Sequence, residues 1–270
     1  MKADARPLIF GIVNVTTDSF SDGGKFISPK DAIARASMLL TSGADVLDLG
    51  AAASNPDAQP VLPAEEISRL TPLIASIPNR QKISIDSFAV ETQRWALSQG
   101  VGWLNDIQGF PNPEIYSDLA QSDTKLIIMH NVATRGSAQR LNTSPSQIFD
   151  LLFRFFDKRI EALTSAGIGR GRLVIDPGMG YFLGTDPRVS MTVLRELERL
   201  SDRYKLPVLV SVSRKSFVRK LANVEIADSG PATLAAELYA TLNGATVIRT
   251  HDVTALKQAL DVWIPLHTNN

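Results

Sequence analysis

The chain has 270 residues, 44% hydrophobic and 21% charged, a composition that excludes a disordered chain and fits a globular protein with a large core. Its 28 Lys plus Arg are matched by 28 Asp plus Glu, so no net field recruits nucleic acid or an anionic membrane, and any anion must meet a local cluster. With no cysteine there is no disulfide, no thiolate nucleophile and no Cys-ligated zinc. The opening MKADARPLIFGIVNV lacks a signal-type cleavage pattern, and its apolar run is too short to span a bilayer, so a cytoplasmic setting is expected.

Taken in chain order, the first apolar run, LIFGIVN, ends at Asn14 and opens into a polar loop, TTDSFSDGG, that keeps Asp18 and one aromatic, Phe20. A plain turn needs only two to five residues, so this loop is either slack or built to close over something. SPKDAIARASMLLTSG follows as a helix, with Ser28 as N-cap, Pro29 in the first turn and Gly43 at its end. ADVLDLG carries Asp48 and continues as GAAASNPDA. KISIDS ends in Asp86 and Ser87, VGWLND in Asn105 and Asp106, and KLIIMH in Met129 and His130. SPSQIFDLLFRFFDKRIEALTSAG reads as a second capped helix between Ser144 and Gly167, and GIGRGR, with Arg170 and Arg172, as a solvated loop. RLVIDPG delivers Asp176 before PGMGYFLG, PVLVSVS delivers Ser213, Arg214 and Lys215, and ATVIRTH delivers Arg249 and His251.

Near-continuous apolar runs mark strands buried on both faces, as in a parallel sheet. Eight of them alternating with helical patterns, with no linker and no second composition zone, favour a single-domain α/β fold, a (β/α)8 (TIM) barrel, over a doubly wound open sheet. The domain is expected over 7–266, with tails at 1–6 and 267–270.

In such barrels the chemistry collects at the C-terminal ends of the strands. Asp86, Asn105 and Asp176 supply acceptors and an amide that suit a flat, hydrogen-bond-rich heterocycle. Arg249, His251 and Lys215 lie on the last two strands, where a phosphate is often placed, and Asn14 with the Asp-rich loop offers oxygens to a Mg²⁺ accompanying it. The bland alternatives are a surface ion pair for Arg249 and His251 and an exposed helix start for Lys215. No G-x-x-x-x-G-K-[ST] loop is present, the glycines Gly178, Gly180 and Gly184 miss the dinucleotide spacing, and three histidines without H-E-x-x-H argue against catalytic zinc. His267 falls in the expected tail.

FGIVNVTTDSFSDGG, DLGAAASNPDA, SIDS, LNDIQGF, IDPGMG, SVSRKS and IRTH resemble, in order, the successive motifs of dihydropteroate synthase, from about residue 8 to 253. The resemblance implies a (β/α)8 barrel, usually a homodimer, that joins 6-hydroxymethyl-7,8-dihydropterin pyrophosphate to p-aminobenzoate with release of pyrophosphate in folate synthesis. It implies that Asp86, Asn105, Asp176 and Lys215 hold the pterin, with Lys215, Asp86, Asp176 and Asp18 central to catalysis. Asn14, Asn55, Arg249 and His251 would meet the pyrophosphate, Asn14 with Mg²⁺. Ser54, Pro56, Phe20, Phe182 and Ser213 would form the p-aminobenzoate pocket.

The chain also departs from the family pattern. Thr17 stands where Pro is usual, and Ala51-Ala52-Ala53-Ser54-Asn55-Pro56-Asp57 replaces Gly-Glu-Ser-Thr-Arg-Pro-Gly, so the arginine contact to phosphate is in doubt at Asn55. Ser211 replaces Gly, and the segment Met179 to Gly184 is longer than usual. These departures resemble the sulfonamide-insensitive branch carried on mobile resistance elements. There a rigid aromatic wall, Phe182 with Phe20, is expected to clash with a sulfonamide substituent while sparing planar p-aminobenzoate. The bland alternative is that Tyr181 and Phe182 simply cover the pterin edge. Rival readings are a methyltetrahydrofolate–corrinoid methyltransferase-like barrel, a non-catalytic pterin-binding protein, and a Schiff-base aldolase using Lys215.

Overall fold

The computed structural model describes residues 6–16, 28–133 and 138–267. The expected loop residues Thr17, Asp18 and Phe20 lie outside them. The eight apolar runs form β1 (Leu8–Asn14), β2 (Val46–Gly50), β3 (Ile83–Asp86), β4 (Trp103–Asp106), β5 (Lys125–Met129), β6 (Leu173–Asp176), β7 (Leu209–Val210) and β8 (Val247–Thr250). The intervening helices are α1 (Pro29–Thr41), α2 (Pro63–Ser76), α3 (Val90–Ser98), α4 (Tyr116–Ala120), α5 (Ile148–Ser165), α6 (Pro187–Arg195), α7 (Glu198–Tyr204), α8 (Ser216–Ala222), α9 (Gly230–Leu242) and α10 (Val253–His267).

All strand pairs are parallel, in the order β6-β5-β4-β3-β2-β1-β8-β7. A single parallel bridge, Ile175 to Val208, joins the two ends and closes the sheet into a barrel. The open doubly wound alternative is thereby excluded.

Period-two alternation sorts each strand into two environments. Outward residues such as Ile9, Leu47, Leu49, Ile83, Ile85, Leu126, Ile128 and Ile175 are buried in the large core under the helices. Inward residues of the lower turn, Phe10, Val46, Trp103, Ile127, Val174, Leu209 and Val247, form a separate cluster that fills the lumen. Phe10 and Trp103 meet edge to face there at 5.0 Å, a favoured aromatic geometry. The polar inward residues therefore rest on a dry floor.

The first helix starts and stops as expected. Ser28 Oγ accepts from the Asp31 amide at 3.2 Å, Pro29 occupies the first turn, and Gly43 takes φ +103°. The second starts later than expected, at Ile148. Ser144 caps the turn before the helix instead, accepting from the Ser146 amide at 3.3 Å, while Ile148, Phe149 and Leu152 are the first residues the core can bury.

Arg170 is exposed, as a solvated loop requires, but Arg172 is half-buried. They end loops on the barrel floor, where Arg172 donates to the carbonyls of Leu119 and Thr124, and Arg170 to that of Tyr204 at 2.6 Å. Carbonyls left by short helices need donors, and a guanidinium fork supplies several at once. His267, expected in a tail, instead closes α10 with its ring stacked on Trp263 at 3.9 Å, and is exposed.

Candidate active site

At the C-terminal mouth the inward positions turn polar strand by strand. Register places Asn14 opposite Gly50, Gly50 opposite Asp86, and Asp86 opposite Asn105. The resulting cavity, about 270 Å³, is lined by Asn14, Asp86, Asp176, Ser213, Lys215, Arg249 and His251 among others.

Asp176 ends β6 and is 1% exposed. Its Oδ1 accepts from the Gly178 amide at 2.8 Å, while Oδ2 is buried with no partner among the described residues. Burial pushes its pKa up to about 6, against the Gly178 hydrogen bond and the Arg249 and Lys215 charges. Asn105 is fully buried, and neither its amide nitrogen nor its oxygen has a partner among the described residues. Such groups are costly unless a ligand engages them. Donor, acceptors and cavity thus converge on one flat, polar guest.

Lys215 reaches this guest because Arg214 adopts a left-handed turn, φ +59°, after β7. That turn is held by the Arg214 amide to Thr233 Oγ1 at 3.2 Å and the Lys215 amide to the Val212 carbonyl at 3.1 Å. Lys215 is no exposed helix start: its Nζ lies 5.2 Å over the Phe182 ring, and burial, then the Arg249 charge, lower its pKa to about 8. Asp176 and Asp86 work in the opposite sense.

Nor are Arg249 and His251 a surface ion pair. Arg249 is gripped by Asp48, Nε to Oδ2 at 2.6 Å, and by Asp86, Nη2 to Oδ2 at 2.6 Å. His251 is fixed by Ser213, whose Oγ accepts from the His251 amide at 3.1 Å and lies 3.0 Å from Nδ1. Burial, then the nearby Arg214, Arg249 and Lys215, hold its pKa well below the usual value, so it enters the site neutral.

The outer wall comes from three loops. Ser54, Asn55 and Pro56 line it after β2, with the Ser54 carbonyl accepting from the Ala138 amide at 3.0 Å. Asp57 forms a two-bond pair with Arg140, which lies 6.0 Å over Tyr181. Phe182 is 5% exposed, packed with Ile107, Met129 and Ala138, yet still faces the cavity. His130, by contrast, stands behind the wall at 5.1 Å from the Phe155 ring, and Asp106 is spent on Gln93 and the Gln108 amide.

The structure brings Asn14, Asp86, Asp176, Ser213, Lys215, Arg249 and His251, all singled out in the sequence, to the lining of one cavity, with Asn105 buried beside Asp86. Sequence reasoning assigned no role to Asp48, although a lone carboxylate two residues before Gly50 in an apolar strand marks an inward position. It also passed over Arg219 of α8, which lines the mouth.

A family model described as "Pterin binding enzyme" matches residues 10–251. The chain is 51% identical over 260 residues to dihydropteroate synthase type-2 of Escherichia coli, covering 96% of each, and 48% identical over 255 residues to the type-3 enzyme of Escherichia coli, covering 94% of this chain and 97% of that one.

The chain belongs to the dihydropteroate synthase family.

A solved Xanthomonas albilineans dihydropteroate synthase with 4-aminobenzoic acid superposes with a TM-score of 0.87 at 33% identity, covering 99% of this chain and 95% of that one. The same protein in complex with 7,8-dihydropteroate gives 0.82.

Proposed function

We propose that the protein is a dihydropteroate synthase, joining 6-hydroxymethyl-7,8-dihydropterin pyrophosphate to p-aminobenzoate. The observation that carries this is a cavity lined by Asp86, Asp176, Lys215, Arg249 and His251, where the buried Asp176 Oδ2 has no partner among the described residues and the equally unpartnered Asn105 sits opposite Asp86 on the neighbouring strand. The pterin ring would meet Asp86, Asn105, Asp176 and Lys215, with its methylene directed towards the mouth.

The bond from that methylene to the pyrophosphate oxygen breaks with its electron pair leaving on oxygen. Arg249 and the donors of Asn14 and His251 would hold the departing anion, and the nearby carboxylates favour the positive charge left on the pterin. The aniline nitrogen of p-aminobenzoate then forms the new carbon–nitrogen bond and loses a proton. No protein nucleophile is needed. The apolar floor and the Phe182 wall limit water, the competing nucleophile.

Among the described residues no cluster of three metal-ligating side chains occurs, which suits Mg²⁺: it binds through one or two protein oxygens plus phosphate. Asn14 on the cavity wall is the residue that fits, with Mg²⁺ supplying charge neutralisation to the pyrophosphate when bound. A role for Asp18 and Phe20 as a closing lid belongs to the same reading.

The Phe182 wall, braced by the Asp57–Arg140 pair, supports sulfonamide insensitivity: a sulfonamide substituent would need the room that the ring fills. Exposed Tyr239 and Leu242 on α9 and Val262 and Leu266 on α10 support a homodimer. Among the described residues no helix is long and apolar enough to cross a membrane, which accords with a cytoplasmic setting.

The test is pyrophosphate release by the purified protein with both substrates and Mg²⁺, across a sulfamethoxazole titration. Release that requires p-aminobenzoate and persists under the drug is expected. Strong inhibition would discard the aromatic wall, and tight pterin binding without release would leave a non-catalytic binding protein.

A further inference from the structure

Asp48 lies below the cavity: its side chain is fully buried, and it sits two residues before Gly50 on β2. Yet it faces the lumen from one level beneath Asp86, opposite Ile12 on one side and Ser84 on the other. A carboxylate so buried costs heavily unless it is paired, and its one close charge partner is Arg249, 2.6 Å away. Asp86, in contrast, borders the cavity and is 13% exposed.

Arg249 is therefore held at two points on two levels. Nε is pulled down to β2 and Nη2 across to β3. Nη2 donates a hydrogen bond to Asp86, whereas the Nε–Asp48 contact is a charge approach without an aligned hydrogen bond, so Asp48 restrains the guanidinium by attraction at a second nitrogen where the Asp86 bond alone would leave it free to rotate. Burial opposes the charge on Arg249, but Asp48, Asp86 and Asp176 together hold its pKa above the ordinary value, so the cation persists.

We propose that Asp48 is a positioning residue: it sets the height and plane of the Arg249 guanidinium beneath the substrate, and so leaves Asp86 able to engage the pterin. This rests on the dihydropteroate synthase reading. Without Asp48 the arginine swings towards Asp86, which then serves Arg249 instead of the ligand. Asp48 touches no reacting atom, so its influence must pass through Arg249.

The experiment is a double-mutant cycle of Asp48→Asn with Arg249→Lys, read by pterin binding (6-hydroxymethylpterin fluorescence) and by steady-state kinetics, with thermal melting of each variant. Lysine keeps the charge but has no fork to be held at two points. Asp48→Asn is expected to weaken pterin binding and kcat/KM for the pterin pyrophosphate about 100-fold, the scale of a roughly 1 Å misplacement, with KM for p-aminobenzoate nearly unchanged. In the Arg249→Lys background the same change is expected to cost less than about threefold, because coupled residues are not additive.

Equal losses in both backgrounds, or a loss under about threefold in the wild-type background, would overturn the proposal. Should Asp48→Asn fail to fold, Asp48→Glu keeps the charge and lifts it by one methylene. It is expected to raise the pterin pyrophosphate KM at unchanged melting temperature, and wild-type kinetics there would equally overturn it. Wild-type protein that binds no pterin would instead refute the functional reading, and the positioning role with it.

Discussion

Lys215 and Asp176 titrate into the physiological range from opposite directions, and for the same reason. Burial drives the amine down to about 8 and the acid up to about 6, each resisting the loss of hydration on charging. In free enzyme both are charged only between those values, so kcat/KM should trace a bell with an acid limb near pH 6 and an alkaline limb near pH 8. Lys215→Arg removes the alkaline titration, because a guanidinium keeps its proton, and its residual activity should stay flat through pH 9. An unchanged alkaline limb in that variant would assign it to another group. Lys215→Ala and Asp176→Ala are each expected to lower turnover by at least about 10²-fold with native circular dichroism. Full turnover in either folded variant would remove it from the site.

At the level of elements, the loop after β6 depends on one backbone position. Gly178 takes φ +75°, and a Cβ there would fall 2.0 Å from the His130 carbonyl, so no side chain fits without parting β5 from β6. Gly178→Ala should cost roughly 2–4 kcal/mol, a fall of several degrees in Tm, and weaken pterin binding as the Gly178 amide leaves Asp176. Unchanged melting and binding would mean that the loop adapts. This glycine was legible in the sequence only as part of IDPGMG, whereas the strands were legible outright. Each apolar run of Val, Ile and Leu ended in a polar residue, and period two carried that residue into the lumen. Ser144 misled because a Ser-Pro pair marks a turn as readily as a helix start, and only burial of Ile148 and Phe149 decides between them. Arg172 read as solvent-facing because its partners, the Leu119 and Thr124 carbonyls, are up to 53 residues distant. The grip on Arg249 joins three strands across 201 residues, from Asp48 to Arg249, and local pattern says nothing about it.

Across the whole molecule, one acid-sensitive contribution to stability comes from a residue outside the site. Burial against Phe155 lowers the pKa of His130 from 6.5 to about 4, partly offset by a hydrogen bond to the Pro177 backbone. The unfolded chain takes up that proton first, so stability is complete above pH 6.5 and declines as the pH falls towards 4. The window corresponds to about 3 kcal/mol. Asp48, Asp106 and Asp176, raised to about 6 by burial, act with the opposite sign in the same range. Comparing wild type with His130→Phe by urea denaturation from pH 7 to 4 cancels the carboxylates and isolates the histidine. Parallel pH curves would show that His130 is not buried as a neutral ring.

The packed floor of Phe10, Trp103 and their neighbours has a kinetic corollary. With the lower end sealed, the lumen is a cul-de-sac with one doorway. On the proposed reading, what settles against Asn105 and Asp176 would have to arrive before the partner lodging by Ser54, Pro56 and Phe182, and could not depart until that later arrival had cleared. Two reactants sharing such a passage queue in a compulsory sequence, last in and first out. An excess of the outer reactant alone would then stall the traffic by occupying the doorway of an empty chamber.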